Sequence, residues 1–116
     1  MQKETFNKEV YEKLKQLVKA PYPFITYEDL NIECNLGLNF DHNRDRKILG
    51  DILGTISVQE VREGRPMLSA IVILKDSHPP KPSFGFFECA KKLGILKRGE
   101  SQDVFYIRQL KELGIK

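Results

Sequence analysis

Apolar residues recur at three- and four-residue steps along the first part of the chain, with lysines and glutamates between them. This spacing places them on one face of an amphipathic helix, so it predicts a helix over residues 5–19. The apolar positions are Phe6, Val10, Leu14, Leu17 and Val18. Pro21 and Pro23 prevent the helix from continuing, and the following "YPFIT" can form at most a short strand.

Two further helices are predicted next. Thr26 and Asp29 have the spacing of a capping box with a shorter acid, so a short helix should begin there. After the turn "NLGLNF", two apolar pairs four residues apart predict a third helix over residues 42–53. Asp41 is its expected N-cap, and Gly54 fits the C′ position. The apolar pairs are Ile48 with Leu49 and Ile52 with Leu53.

A β-hairpin is predicted after the third helix. In "TISVQEV" the apolar Ile56 and Val58 alternate with polar residues, which is typical of a strand with one buried face. The nearly continuous apolar run "MLSAIVILK" predicts a strand that is buried on both faces and antiparallel to its predecessor. Between them Gly64 can adopt a positive φ, and Pro66 suits the start of a strand.

The last third of the chain predicts a loop and two helices. The prolines of "DSHPPKPSFG" exclude regular structure there. The apolar face of "FFECAKKLGIL" predicts a helix over residues 84–93, which Gly94 terminates. A final helix should begin after a Ser101 cap and close at Gly114.

This order of elements predicts an α+β domain of the winged helix-turn-helix type, with three helices, a β-hairpin wing and two C-terminal helices. At 116 residues the chain is short enough to form a single domain. We expect residues 5–75 to form the winged-helix core and residues 76–116 a C-terminal helical extension.

Three segments, "FITYEDL", "GRPMLSAIVI" and "GFFECAKKLG", together resemble a family of small, uncharacterised bacterial proteins. The resemblance covers about residues 24–95 and implies no particular activity. The Thr-Tyr-x-x-Leu start of the second helix is also distantly similar to the winged-helix half of the alkylguanine alkyltransferases. Those enzymes carry a Pro-Cys-His-Arg nucleophile motif, whereas neither Cys34 nor Cys89 is followed by His-Arg. This resemblance therefore implies a related fold without alkyl transfer.

Composition narrows the class of protein. The formal net charge is only +3, so the chain has no basic tail and no polybasic membrane anchor. Charged residues are spread through residues 1–20, which is unlike a secretory signal or a membrane span. We therefore expect a cytoplasmic protein that does not associate with membranes. Its two cysteines lack C-x-x-C spacing, and we interpret both as reduced thiols.

Five basic residues are candidates for nucleic-acid binding. In a recognition helix, Arg44, Arg46 and Lys47 would reach base edges or phosphates, while Arg62 and Arg65 at the wing tip would lie along the backbone. Residues 41–66 nevertheless contain five acids as well as these five bases. An ordinary solvated surface explains such a neutral segment equally well.

The positive excess lies in residues 67–116, which carry nine Lys/Arg against five Asp/Glu. A phosphate backbone or an acidic protein would bind such a cluster, but lysines near a helix end also complement the helix dipole. The cluster contains Lys91, Lys92, Lys97 and Arg98.

Signals for catalysis are weak. Asp41, His42 and Asp45 have residue types that bind divalent ions, yet they include only one imidazole. Ser69 lacks the flanking glycines of a nucleophile elbow, and we interpret it as a buried serine bonded to the backbone.

The sequence therefore predicts a non-enzymatic DNA-binding or regulatory protein without a cofactor, whose partner is double-stranded DNA. The alternative is a protein-interaction module on the same fold, with a protein partner. A metal-dependent nuclease is the more distant alternative, and it would use Asp41, His42 and Asp45.

Overall fold

A computed structural model describes residues 6–115. Within that range the fold has five α-helices, one short 3-10 helix and a parallel sheet of two strands, so its class is α+β. In chain order the elements are α1 (Lys8–Leu17), β1 (Ile25–Thr26), α2 (Tyr27–Glu33), α3 (Asn43–Arg62), the 3-10 helix (Leu68–Ile71), β2 (Val72–Ile73), α4 (Phe84–Lys92) and α5 (Gln102–Glu112). None of the helices in residues 6–115 is both long and apolar enough to span a bilayer.

Several predicted helix ends are confirmed. The Thr26 hydroxyl accepts a hydrogen bond from the Asp29 N–H at 3.1 Å, and the Ser101 hydroxyl accepts one from the Val104 N–H at 3.1 Å. Each cap satisfies a backbone donor that has no partner inside its helix. Asp41 is not the cap of α3, because His42 occupies that position.

The predicted first strand of the hairpin is wrong. Residues 55–61 continue α3 as helix, so Gly54 lies inside α3 and is not its C′ residue. The helix ends only before Gly64, which has φ +80°. The physical reason is visible in the buried positions, which recur at three- and four-residue steps from residue 49 to residue 60 and so run through the predicted strand. They are Leu49, Ile52, Leu53, Ile56, Ser57 and Glu60.

The second predicted strand is only partly formed, and its antiparallel pairing is wrong. Residues 68–71 form a 3-10 helix, and β2 pairs in parallel with β1, with Ile25 opposite Val72 and Thr26 opposite Ile73. A parallel pair needs a long crossover, which α2 and α3 provide. No hairpin wing therefore exists within residues 6–115.

The segment of residues 67–73 is buried throughout, as its apolar sequence predicts. It lies between two halves of the core, because Leu68, Ile71 and Val72 pack with α1, α2 and α3, whereas Met67 and Ala70 pack with α4 and α5. Two polar groups of α5 fix it. The Gln109 side chain accepts from the Met67 N–H at 2.8 Å, and the Tyr106 hydroxyl donates to the Ala70 carbonyl at 2.7 Å.

Candidate functional site

A cleft of about 740 Å³ lies between α3 and α4, and we call it the α3–α4 cleft. This volume is typical of small-molecule sites. From α3 it is lined by Arg46, Lys47, Gly50, Asp51, Leu53, Gly54, Thr55 and Val58; from α4 and the residue before it by Ser83, Gly85, Phe86, Glu88, Cys89 and Lys92; and from the core side by Tyr27 and Ser69.

Glycines form part of both walls. Gly50 and Gly54 are one helical turn apart in α3, and a Cβ built on either would meet no atom within 4 Å. A Cβ on Gly85 of α4 would meet only the Ser83 hydroxyl, at an ordinary contact distance of 3.7 Å. Inside a helix each glycine costs about 0.5–1 kcal/mol relative to alanine. Internal packing does not require Gly50 or Gly54, and both leave the backbone of α3 open to the cleft.

A pair of serine hydroxyls lies at the floor. The Ser69 hydroxyl is 2.7 Å from that of Ser57, where the sequence predicted a backbone partner for Ser69. Ser57 is fully buried, whereas Ser69 is 6% exposed and faces the cleft. Two hydroxyls carry two protons, and one hydrogen bond between them uses only one. Neither hydroxyl makes another hydrogen bond within residues 6–115, so one of the two O–H groups has no acceptor there, and it is the Ser69 O–H at the cleft when Ser57 is the donor of the pair.

A hydrogen bond of Tyr27 links the start of α2 to the start of α4. Its hydroxyl accepts a hydrogen bond from the Ser83 N–H at 2.8 Å. Burial raises the pKa of the Tyr27 phenol, and the Ser83 contact opposes that shift. The phenol is therefore neutral at physiological pH and anchors the N-cap residue of α4 beside the cleft.

The rim of the cleft carries three cations against two carboxylates. Lys47 lies 3.2 Å from Asp51, and Lys91, outside the cleft, lies 3.7 Å from Glu88. Arg46 donates through Nε to the Phe40 carbonyl. Lys92 forms no ion pair within residues 6–115. Exposed pairs of this kind contribute about 0–1 kcal/mol, so an anion can replace the partners of these cations.

Both cysteines are free, and they lie in different surroundings. Cys34 is buried in the core, while Cys89 is partly exposed and lines the cleft. Burial raises the pKa of both thiols. Cys89 is therefore a neutral thiol at pH 7 and a convenient chemical reporter of access to the cleft.

The structure brings together only part of the predicted nucleic-acid site. Arg44, Arg46 and Lys47 lie on the exposed first turns of α3, and the side chain of Arg44 is 87% exposed. Arg62 lies at the other end of the helix, about 27 Å from Arg44 along the helix axis at 1.5 Å per residue. Arg65 follows α3 and donates two hydrogen bonds to Glu60. The last two arginines therefore form no wing tip and do not share a surface with the first three.

The candidate metal ligands are not gathered into a site. Among the described residues no group of three or more His, Cys, Asp and Glu side chains is placed to hold a metal ion. The carboxylate of Asp45 instead accepts a hydrogen bond from the Asn39 N–H at 2.8 Å. Asp41 and His42 line a separate shallow depression with Asn43 and Arg44.

Sequence reasoning identified Lys92 as part of a basic cluster, but it did not place Ser83, Gly85 and Lys92 opposite α3 in one cleft. The only local signal was the Gly50/Gly54 pair within an otherwise helical stripe, since glycines at that spacing leave one face of a helix bare. Comparison with known proteins gives no match to a family model, a curated protein or a solved structure. The resemblances drawn from the sequence therefore remain predictions.

Proposed function

We propose that the protein is a non-enzymatic DNA-binding protein that contacts double-stranded DNA with the start of α3 and the end of α4. The observation that carries this proposal is the convergence of Arg46, Lys47 and Lys92, from two helices, on the rim of one cleft. Arg44 and Lys91 extend this set, and we call the five residues the basic surface. Cations so arranged suit a phosphate backbone.

The first turns of α3 supply the contact element. Residues 41–48 are exposed apart from the partly buried Asp45, so the N-terminal end of α3 is accessible to a partner. Residues near the N-terminus of a recognition helix are those that reach base edges in helix-turn-helix complexes. The proposal needs neither a wing nor the winged-helix assignment, and it leaves out Arg62 and Arg65.

Acidic residues limit the expected affinity. Asp51 and Glu88 line the same cleft as the three cations, so non-specific binding should be weak and sensitive to salt. Three to five phosphate contacts would give a slope of roughly −3 to −5 for the logarithm of the binding constant against the logarithm of salt concentration.

Fluorescence anisotropy with a labelled duplex at several salt concentrations tests the proposal. Replacing Arg46, Lys47 and Lys92 with glutamine should weaken binding at low salt and reduce the salt slope by about 3. The matched control replaces Lys8, Lys19 and Lys111, which are exposed and lie outside the cleft lining. Both triple variants lose the same charge. Equal losses in the two variants, or no binding by the wild type at low salt, would contradict the proposal.

An acidic protein is the second candidate partner, because one exposed aromatic residue adjoins the cleft. Phe84 is 70% exposed and lies between Ser83 and Gly85, which both line the cleft. A large exposed aromatic beside cations is typical of a protein-binding anchor. Phe84→Ala should weaken binding of an acidic protein while leaving duplex DNA binding within twofold, and anisotropy measures both.

A further inference from the structure

We propose that the α3–α4 cleft binds a small organic anion with a flat apolar ring. The proposal goes beyond DNA binding and does not depend on it, since the cleft is formed within one chain and its occupancy can be measured without nucleic acid. Three features carry the proposal: the volume of the cleft, the Ser69 hydroxyl at its floor and the cations at its rim.

The walls fit a flat apolar group. Leu53, Val58 and Phe86 supply apolar lining, and the cleft of about 740 Å³ has room for a ligand of one or two rings. Gly50 and Gly54 leave the backbone of α3 bare on one side. A planar ring can therefore approach the main chain more closely than any side chain at these positions would allow.

The polar groups define where the charge of the ligand lies. Ser69 is only 6% exposed and lines the cleft, and when Ser57 donates within their pair the Ser69 O–H has no acceptor among residues 6–115. An acceptor atom on the ring would satisfy it. Arg46 and Lys92 lie at the rim without a carboxylate partner within the described residues, so an anionic substituent directed outward would meet them.

A matched pair of fluorescent probes distinguishes binding of the apolar ring from binding of the negative charge. 8-Anilinonaphthalene-1-sulfonate carries a sulfonate, whereas N-phenyl-1-naphthylamine has the same rings and no charge. The sulfonate probe should bind more tightly. Arg46→Gln with Lys92→Gln should weaken it by about fivefold, the effect of losing roughly 1 kcal/mol. The neutral probe should change by less than twofold.

Filling the cleft tests its location. Gly54→Leu places a side chain in the cleft and substitutes a strong helix former, so the helix should not be weakened. Both probes should then lose at least tenfold in affinity, while Gly54→Ala, the control for folding, should retain most of it. Circular dichroism checks that both variants are folded. Unchanged probe binding in folded Gly54→Leu would overturn the proposal.

Alkylation of Cys89 gives a second readout. The sulfonate probe should slow the reaction of Cys89 with N-ethylmaleimide at least fivefold, because the thiol lines the cleft. Equal affinity for the charged and neutral probes, or no protection of Cys89, would also overturn the proposal. Failure to bind duplex DNA would overturn only the proposed function.

Discussion

Glu60 and Arg65 are joined by two hydrogen bonds of 2.9 Å, one from each of two guanidinium nitrogens to a different carboxylate oxygen. The Tyr11 hydroxyl donates a third, also of 2.9 Å, to Glu60. The Glu60 side chain is only 7% exposed although it lies on α3, a surface helix for half of its length. Through Tyr11, Glu60 links the C-terminal end of α3 to α1. The three hydrogen bonds allow a charged residue to occupy a core position.

This pair should make stability depend on pH. The Arg65 hydrogen bonds hold the pKa of the Glu60 carboxyl below its ordinary value, against the opposing effect of burial. Because the folded pKa is lower than the unfolded one, the stabilisation is complete only well above the unfolded pKa of about 4.3 and is lost as the pH falls through the folded pKa. Denaturant unfolding from pH 7 to pH 3 measures this loss.

Glu60→Gln should lower the free energy of unfolding at pH 7 by about 1.5–3 kcal/mol, the range for hydrogen bonds to charged groups. It should also flatten the decline between pH 5 and pH 3. The control is Glu112→Gln, which removes the same charge from an exposed pair with Arg108. That control should lose less than about 1 kcal/mol. Equal losses in the two variants would show that Glu60 has no special role.

Gln109 should be needed for the position of the buried segment at residues 67–73. Its side chain is almost fully buried and accepts from the Met67 N–H at 2.8 Å. Gln109→Leu keeps most of the volume but leaves that N–H without its acceptor, so it should cost about 1–3 kcal/mol. Thermal unfolding measures the loss, and hydrogen exchange should be faster at the Met67 amide. Val104→Leu, at an exposed position on the same helix, should leave both unchanged.

The starts of α2 and α5, which depend on local chemistry, were predictable, whereas the N-cap and the extent of α3 were not. The Thr26 and Ser101 caps act within four residues of sequence, so a short motif suffices to identify them. "TISVQEV" is rich in β-branched residues and alternates over a few positions, which favours a strand locally. This segment is helical because Ile56 and Glu60 continue the buried face of α3. Glu60 can be buried because Tyr11 and Arg65 bind its carboxylate, and these contacts cannot be inferred from the local sequence.

The candidate site was less predictable than the fold because its parts are distant in sequence. Arg46 and Lys47 were recognised as exposed bases, but their approach to Lys92 depends on how α4 packs against α3. The same holds for Ser57 and Ser69, which sequence pattern alone would not join. Local periodicity indicates which face of a helix is buried. It does not indicate which distant element packs beside the opposite face.

The glycines of α3 should be dispensable for stability. No atom lies within 4 Å of a Cβ built on Gly50 or Gly54, so replacing either with alanine should raise the free energy of unfolding by about 0.5–1 kcal/mol. Gly94→Ala is the matched control, because Gly94 has φ +77° and a side chain there is strained. That control should be destabilised. Loss of stability in Gly50→Ala would show that its open space is needed for packing.

Neutralising the Asp51 carboxylate, which lies beside the basic surface, should strengthen DNA binding. Asp51 lies 3.2 Å from Lys47 and lines the same cleft, so it competes with phosphate for that lysine and repels the backbone. Asp51→Asn should strengthen duplex binding by about three- to tenfold at low salt, with less gain as salt screens the charge. Asp103→Asn, which changes the net charge equally on the exposed start of α5, separates this local effect from a general one. If the two variants gained equally, DNA would be responding to net charge alone, and the α3–α4 cleft would not be its contact surface.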